Sequence, residues 1–409
     1  MPHDTAAMLN AENASDRLAI LCKLPKPAPS AGFDVNNHIH TTYSFSPYSP
    51  TSAVWHACEA GLSTAGIIDH DTVAGIEEFN EAGKIIGFPT TSGFELRCKT
   101  EAVFGSRRTN NTDQIGVTYF TFHGLPHTRI ETARIFLRPV AEARALRNRK
   151  MTERINGLFD GVSIDYDRDV LPVSQQKNGG SVTERHLLFA FAQKLCGLYG
   201  RGSSLVNVLK QKFFVGDDIN QKLSDISNPF YLYDLLGFLK AEASEHFYAD
   251  ANEKECPDIR AAAKFANENG IILTYPYLGD VAVSVTADKK KQEYEDSFLD
   301  ELFEILVNLG IKAFSYMPSR NTREQLIRVR ELCGKHQMLQ ICGEDINGPR
   351  QKFICAAMRD KLFSDLYDTT WALIGHEKAA TKKIDDAFIY SGGPLKSSVE
   401  RYKNIAKKE

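Results

Sequence analysis

The sequence predicts an α/β fold that is built on parallel strands and interrupted by a mostly helical insertion. From about residue 33, apolar strand-like runs alternate with helix-like segments, beginning with "FDVNNHIH", "SAVWHACEAG" and "TAGIIDH", which is typical of parallel α/β architecture. Between about 126 and 256, long helical periodicities dominate. The alternation then resumes in "PDIRAAAKFANENGIILTYPYLGD" and "SFLDELFEILVNLGIKAFSYMPS", where each helix ends near a glycine and an apolar strand follows.

These changes of pattern divide the chain into five predicted segments. With 409 residues, of which 43% are hydrophobic, the chain can bury a large core as one domain with an insertion or as two domains. A connector, "PKPAPSAG", precedes the first strand. The predicted segments are an N-terminal strap (1–32), the first part of the α/β body (33–125), the helical insertion (126–256), the second part of the body (257–375) and a C-terminal extension (376–409).

Composition narrows the classes of function. The formal net charge is -3 and no long Lys/Arg block occurs, so nucleic acid is not favoured as a docking partner. No apolar run approaches the roughly 18 to 20 residues of a membrane span. The eight cysteines are scattered without a CxxC pair, and the start of the chain lacks a basic segment followed by an apolar core. We therefore expect reduced thiols and a cytoplasmic location.

Four of the predicted strands end in polar side chains of similar chemistry. In a parallel α/β fold the carboxyl ends of the strands lie on one face, where binding sites are built. Residues two apart on a strand point to the same side, so the first pair can offer two nitrogens to one ion. Mixed imidazole and carboxylate ligands suit Zn, Mn or Fe. The strand-end residues are His38 and His40; Asp69, His70 and Asp71; Glu95; and Glu344, Asp345 and Asn347.

Each of these motifs alone has a structural explanation. A lone HxH is a weak metal motif and is more often a surface or supporting pair. Asp69 and Asp71 are placed to cap the helix that follows them, and Glu95 is tolerated if it lies at the exposed end of its strand. These separate explanations do not account for four acidic or His-bearing strand ends at one location. Taken together, the four strand ends favour a metal site.

The ordered motifs resemble those of the PHP (polymerase and histidinol phosphatase) superfamily of metal-dependent phosphoesterases. The matching stretches are "NNHIHTTYS", "GIIDHDTVAG", "TSGFEL", "TERHLLFAFA" and "ICGEDINGP". The resemblance implies a distorted (β/α)7 TIM-like barrel that carries the helical insertion. It also implies hydrolysis of a phosphomonoester or phosphodiester, of a small metabolite or a nucleotide, by a metal-bound hydroxide. Glu95 takes the place of the family's bridging carboxylate.

The chain departs from the family pattern at several ligand positions. Phe45 and Ser46 stand where the family has an aspartate. Thr118 or Tyr119 aligns with a family histidine, and His123 lies a few residues late. Two further family histidines are replaced by Tyr275 and Asn347. The resemblance thus leaves one complete ion site and a remnant of a second, so we expect one firmly bound divalent ion (Zn, Mn or Fe), or at most two.

The resemblance also assigns roles to single residues. The expected metal ligands are His38, His40, His70, Glu95 and Asp345, and two of them, His70 and Asp345, are expected to be catalytic. A phosphate needs cations or backbone N–H donors, and Arg offers bidentate geometry. The expected contacts to a small phosphorylated substrate are Arg147, Arg185, His186, Arg320 and Asn347.

Two other functions remain open at this point. A barrel with a reduced ion site can bind a phosphorylated ligand without turning it over. One ion held by histidines and carboxylates also resembles a mononuclear amidohydrolase site in charge and geometry.

Overall fold

A computed structural model describes residues 8–27, 32–280 and 293–408. It contains one seven-stranded sheet whose spatial order follows the sequence order. The first strand also meets the segment after the last one: Ile39 bridges Ile346, and the His40 N–H donates to the Ile346 carbonyl at 2.9 Å. The sheet is therefore a nearly closed barrel, which confirms the predicted α/β barrel fold. The strands are β1 (Val35–Ile39), β2 (Thr64–His70), β3 (Thr90–Lys99), β4 (Val117–His123), β5 (Ile272–Pro276), β6 (Ala313–Tyr316) and β7 (Leu339–Cys342).

Strand β4 runs against both of its neighbours, whereas the other adjacent strands are parallel. It pairs Tyr119 with Arg97 and His123 with Gly93. The expectation of uniformly parallel strands thus fails at β4. The reversal brings the start of β4, with Tyr119, to the carboxyl end of the barrel, and it sends His123 deeper towards the amino end.

The helices begin and end at recognisable signals. Ser49 accepts a hydrogen bond from the Ser52 N–H ahead of Pro50, and Thr322 forms a reciprocal capping box with Gln325. The helices are α1 (Ala14–Leu21), α2 (Pro50–Glu59), α3 (Ile76–Ile86), α4 (Glu101–Phe104), α5 (Ile130–Ile155), α6 (Glu184–Tyr199), α7 (Ser203–Leu209), α8 (Asp217–Ser224), α9 (Tyr231–Phe247), α10 (Ile259–Glu268), α11 (Leu299–Asn308), α12 (Arg323–Lys335), α13 (Asp365–Lys382) and α14 (Leu395–Lys407).

The segment 126–256 has its own apolar core. Helix α5 belongs to two cores: Leu137 and Val140 pack in the barrel cluster, whereas Met151 and Ile155 pack in the insertion cluster. The insertion cluster also takes in Phe45 from the loop after β1. Helix α5 and Phe45 therefore both take part in joining the insertion to the barrel.

Helices α13 and α14 cover the amino end of the barrel. Leu373 of α13 packs in one cluster with Ile272, Ala313 and Leu339, which are the first residues of three strands. The two helices lie so close that a Cβ on Gly375 would meet the Tyr402 carbonyl oxygen at 1.8 Å. Helix α13 runs through residue 375, so the boundary expected there falls inside one helix.

The described residues bear on the expectations about membrane spans and about the cysteines. Among the described residues, no helix is both long and apolar enough to cross a membrane. All eight cysteines lie in the described ranges, and none forms a disulfide bond.

Candidate metal centre

Imidazole and carboxylate groups from four parts of the barrel meet at its carboxyl end. Two sets of three have ligand atoms within 4.8 Å of one another, and both include His40: one set adds His38 and Asp345, the other His70 and Glu95. The barrel brings together residues from β1, β2, β3 and the segment after β7, as the strand-end argument expects. Except for the buried His40, these groups line a cavity of about 140 Å³.

The orientation of His40 follows from the chain of hydrogen bonds behind it. Ser44 gives its only hydroxyl proton to Asp69 at 2.6 Å, so the Ser44 oxygen can only accept from His40 Nδ1, 3.2 Å away. Asp69 also accepts from the N–H and the hydroxyl of Thr41. Neutral His40 therefore carries its proton on Nδ1 and presents the lone pair of Nε2 to the cavity side, as metal-binding histidines do.

Asp69 and Asp71 serve the site rather than the following helix. Helix α3 begins at Ile76, and its N-cap residue, Gly75, has no side chain to cap it. Asp69 supports the His40 loop, and Asp71 forms a buried ion pair with Arg144 of α5. The helix-cap explanation of these two carboxylates is wrong.

Asp345 faces His40 across a short gap. His40 Nε2 lies 3.2 Å from Asp345 Oδ1 without hydrogen-bond geometry. The amide of Asn347 donates to the same Oδ1 at 2.8 Å. Asn347 thus orients a carboxylate, a role that an amide can fill even though it is a poor ligand.

His70 and Glu95 form a second contact in the cluster. His70 Nδ1 lies 2.8 Å from Glu95 Oε2, and the His70 ring stacks on the His40 ring with centroids 4.4 Å apart. Glu95 is buried, and its position in the middle of β3 means that it points into the barrel instead of ending the strand in solvent. The exposed-end explanation of Glu95 is therefore excluded.

The pKa values of these groups reflect burial first and their neighbours second. Burial lowers the pKa of His38 and, together with the charge of His40, holds the pKa of His70 well below its usual range. Burial also raises the pKa of Glu95. For His40 burial acts downward, but the close negative charge of Asp345 outweighs it and raises the pKa. The negative charge of Asp345 thus favours a positive charge next to it, at the position of His40.

This arrangement fits a divalent cation. Two lone-pair-bearing atoms, His40 Nε2 and Asp345 Oδ1, face each other, and His38 Nε2 is buried without a hydrogen-bond partner in the described part of the chain. Buried polar atoms are normally satisfied, so unpaired nitrogens beside a carboxylate are what a bound cation explains. Two imidazoles and a carboxylate also form a common donor set for Zn and related ions.

Cationic side chains line the same cavity. Arg185 at the start of α6, Lys240 of α9 and Arg320 after β6 all contribute to its wall. Arg185 and Lys240 come from the insertion, so the cavity lies between the insertion and the barrel. Two of the arginines expected from sequence to contact a phosphate are thus at the site.

Arg147 and His186 are placed differently from the expectation. Arg147 is buried in ion pairs with Glu184 and Glu255, at 2.7 Å for the Glu255 pair, and it also donates to the Ala249 carbonyl. His186 is buried and accepts the Thr183 N–H through Nδ1 as part of the α6 cap. Burial, assisted by Arg144, lowers the pKa of His186 to about 3, so it stays neutral and serves the helix.

The residues at the positions that depart from the family pattern lie in different parts of the structure. Phe45 turns into the insertion core. Tyr275 packs on Phe120 and Phe314 on the outer side of the sheet. Tyr119 lies near His70, with ring centroids 5.9 Å apart, and lines the cavity. Tyr275 therefore does not take the place of a ligand.

The cavity lining includes three residues to which the sequence patterns assigned no role: His123, Lys240 and Asp113. Burial, together with His38, lowers the pKa of His123 to about 3. His123 had a weak signal, because it lies near the alignment position of a family histidine. Lys240 and Asp113 have none, since each sits in a helix or loop of mixed polarity. Glu344 turns away from the site and accepts the Ser319 hydroxyl at 2.6 Å.

Comparisons with known proteins agree with the fold. No protein-family model matches the sequence. A solved protein from Bifidobacterium adolescentis, inferred to be a metal-dependent phosphoesterase, is 18% identical with a TM-score of 0.53, over 83% of this chain and 98% of that one. An amidohydrolase from Chromobacterium violaceum, solved with bound sulfate, is 13% identical with a TM-score of 0.51, over 78% of this chain and 89% of that one.

A relative found by sequence aligns with a smaller part of this chain than the two solved structures do. The 5'-3' exoribonuclease of Haemophilus influenzae is 38% identical over 64 residues, which is 16% of this chain and 23% of the exoribonuclease. The chain thus aligns with under a quarter of that relative. The structural likeness shows that this chain shares the fold of these two solved proteins.

Proposed function

We propose that this protein is a metal-dependent hydrolase of phosphate esters and that it binds one divalent ion at the carboxyl end of its barrel. The observation that carries the proposal is the convergence of His38, His40 and Asp345, with unpaired imidazole nitrogens, in a cavity that also holds cationic side chains. The ion is Zn, Mn or Fe, because these accept mixed imidazole and carboxylate ligands.

The residues divide the work as follows. When bound, the ion supplies Lewis-acid chemistry: it withdraws charge from a phosphoryl oxygen and makes water a better nucleophile. Arg185, Lys240 and Arg320 bind the phosphate, since three cationic side chains that line one cavity favour a multiply charged anion. The pair of His70 and Glu95 holds a proton between Nδ1 and Oε2, 2.8 Å apart, and is placed to accept a proton from water.

The substrate class is a phosphorylated small molecule, which includes nucleotides. The stretch shared with an exoribonuclease supports a nucleotide phosphodiester within this class. The cationic lining favours the phosphate over a neutral amide or lactone. Amide hydrolysis is the second candidate, because a solved amidohydrolase shares the fold.

The test is metal analysis combined with turnover. The chain is purified without added metal, reconstituted separately with Zn²⁺, Mn²⁺ and Fe²⁺, and assayed on p-nitrophenyl phosphate, bis(p-nitrophenyl) phosphate and p-nitroacetanilide. We expect about one ion per chain and turnover of a phosphate ester. His40→Ala should remove both, and the matched control His246→Ala, an exposed histidine outside the cavity, should retain both.

Three results would contradict the proposal. Absence of a tightly bound ion after reconstitution removes its basis. Turnover of the anilide but of neither phosphate ester would show that the protein hydrolyses amides instead of phosphate esters. A bound ion and bound inorganic phosphate without turnover of any ester indicate a binding protein.

A further inference from the structure

The two loops that carry and support the ion ligands are attached to the helical insertion. The loop after β1 contains Ser44, which orients His40, and its Tyr43 carbonyl accepts the Ser181 N–H at 2.7 Å. The loop after β2 follows His70, and its Thr72 hydroxyl donates to the Gly179 carbonyl at 2.7 Å. Both loops therefore take their positions partly from residues of the insertion.

Phe45 makes the strongest apolar connection of the first loop. Its φ of 96° is unusual for a bulky residue, so surrounding contacts must hold it. The ring is buried among insertion side chains, edge-on to His186 at 5.0 Å and near Phe189 and Tyr233 at 5.7 and 6.0 Å. Because Phe45 follows Ser44 directly, this anchor fixes the hydroxyl that sets the His40 tautomer.

Arg144 makes the corresponding polar connection of the second loop. It extends from α5, is buried, and pairs with Asp71 and, at 2.8 Å, with Glu184. Asp71 has a φ of 54°, and its N–H donates to the Glu95 carbonyl at 2.8 Å. Asp71 thus joins the insertion to the two strands that carry His70 and Glu95.

We infer that the helical insertion positions the ion ligands, through Phe45 for His40 and through Arg144 and Asp71 for His70. Arg144 and Phe45 are positioning residues: neither lies in the set of candidate ligands, and each holds the backbone next to a ligand or its hydrogen-bond partner. This inference rests on the proposed ion site.

The experiment measures ion affinity separately from fold stability. For Arg144→Met, we expect the dissociation constant of the reconstituting ion to rise by about 10-fold, within the range for removing a supporting contact of a metal site. Arg144→Lys should recover part of that loss, because a lysine can still pair with Asp71. The control is Lys403→Met, which breaks a partly buried pair with Asp368 at 3.0 Å between α14 and α13, at the amino end of the barrel. It should lower the melting temperature while leaving ion affinity within about twofold, as expected where no ligand support is lost.

A second pair of variants covers a failure of Arg144→Met to fold. Phe45→Ala should weaken ion binding by about 10-fold, whereas Phe191→Ala, which removes a fully buried ring elsewhere in the insertion core, should change the melting temperature without changing ion affinity. If folded Arg144→Met or Phe45→Ala binds the ion as the wild type does, the inference is overturned. If the wild type binds no ion, the proposed function itself fails, and the two outcomes are distinct.

Discussion

The two ends of the barrel use the same residue types for opposite purposes. At the carboxyl end, His70 contacts Glu95 at 2.8 Å; at the amino end, His127 contacts Glu377 at 2.7 Å. Glu377 also accepts both the N–H and the hydroxyl of Ser92. Its neighbour His376 uses both ring nitrogens, donating to the Gly124 carbonyl and accepting the Phe388 N–H.

The difference lies in hydrogen-bond satisfaction. Among the described residues, Nε2 of His38 and His40 in the carboxyl-end cluster is buried without a hydrogen-bond partner, as is Nε2 of His123 deeper in the same cavity. At the amino end, both ring nitrogens of His376 and both carboxylate oxygens of Glu377 have protein partners. A histidine–carboxylate contact is therefore structural where the protein completes it, and it indicates a ligand site where buried nitrogens stay unpaired.

Removing a carboxylate ligand should produce the largest effect and should separate the two ends. Asp345→Asn keeps the shape but removes the charge that faces His40 Nε2. We expect ion affinity and phosphate-ester turnover to fall by more than about 100-fold, beyond the loss seen for supporting residues. Metal analysis and kcat/KM measure this. A variant that keeps its ion would show that the ligand assignment is incorrect.

Crowding the amino end should act on stability alone. In Gly375→Ala, the new methyl group meets the Tyr402 carbonyl at 1.8 Å, so α13 and α14 must move apart. We expect the free energy of unfolding to fall by about 3 kcal/mol, the upper part of the range for overpacking, with ion content per folded chain unchanged. Denaturant unfolding measures this.

The control for that variant is a glycine in open space. Apart from the adjacent backbone of α6 itself, no atom of the described residues lies within 4 Å of a Cβ built on Gly197. Gly197→Ala should stabilise the protein by about 0.5 to 1 kcal/mol, because alanine is the better helix former. Loss of ion binding in Gly375→Ala would mean that the two ends are coupled.

The buried His376 should make stability depend on pH. Burial lowers its pKa from 6.5 to about 4, so the unfolded chain binds a proton more readily than the folded one. The stabilisation is fully present above pH 6.5 and is lost as the pH falls towards 4, by up to about 3 kcal/mol. The difference in unfolding free energy between wild type and His376→Gln should shrink over this interval. A difference independent of pH would refute the neutral assignment of His376.

Removing a supporting hydroxyl at the carboxyl end should have the smallest effect. Ser44→Ala takes away the acceptor that fixes the His40 tautomer, and ion affinity should fall by about 10-fold. Ser46→Ala is the control, because the Ser46 hydroxyl accepts only weakly, at 3.4 Å, from the Tyr48 N–H. Isothermal titration with the reconstituting ion compares them, and equal affinities would remove Ser44 from the site.

Strand-end residues could be predicted from sequence because periodicity fixes them. Alternation with period two places His38 and His40 on one side of β1, and the barrel topology gathers strand ends whatever their separation along the chain. Arg185 and Arg320 could likewise be located from the elements that they begin or follow. These predictions needed only local pattern and the rule that parallel strands share a carboxyl end.

Other features depended on packing that no local pattern encodes. The apolar content of β4 does not indicate whether the strand runs parallel or antiparallel to its neighbours. The reversed direction of β4, and with it the depth of His123 in the barrel, was therefore not predictable. Tyr275 alternates to the outer face of β5 because its neighbours in the barrel fix the register. Lys240 reaches the cavity only because the insertion core sets the rotation of α9.

The sequence by itself thus determined the α/β class and the presence of imidazole and carboxylate groups at the strand ends. The tertiary structure decided which polar atoms are paired. That distinction sets the carboxyl end apart from the amino end, and it depends on distances between segments that are remote in sequence. Hydrogen-bond satisfaction is a property of the packed chain, because each donor and its acceptor come from different elements.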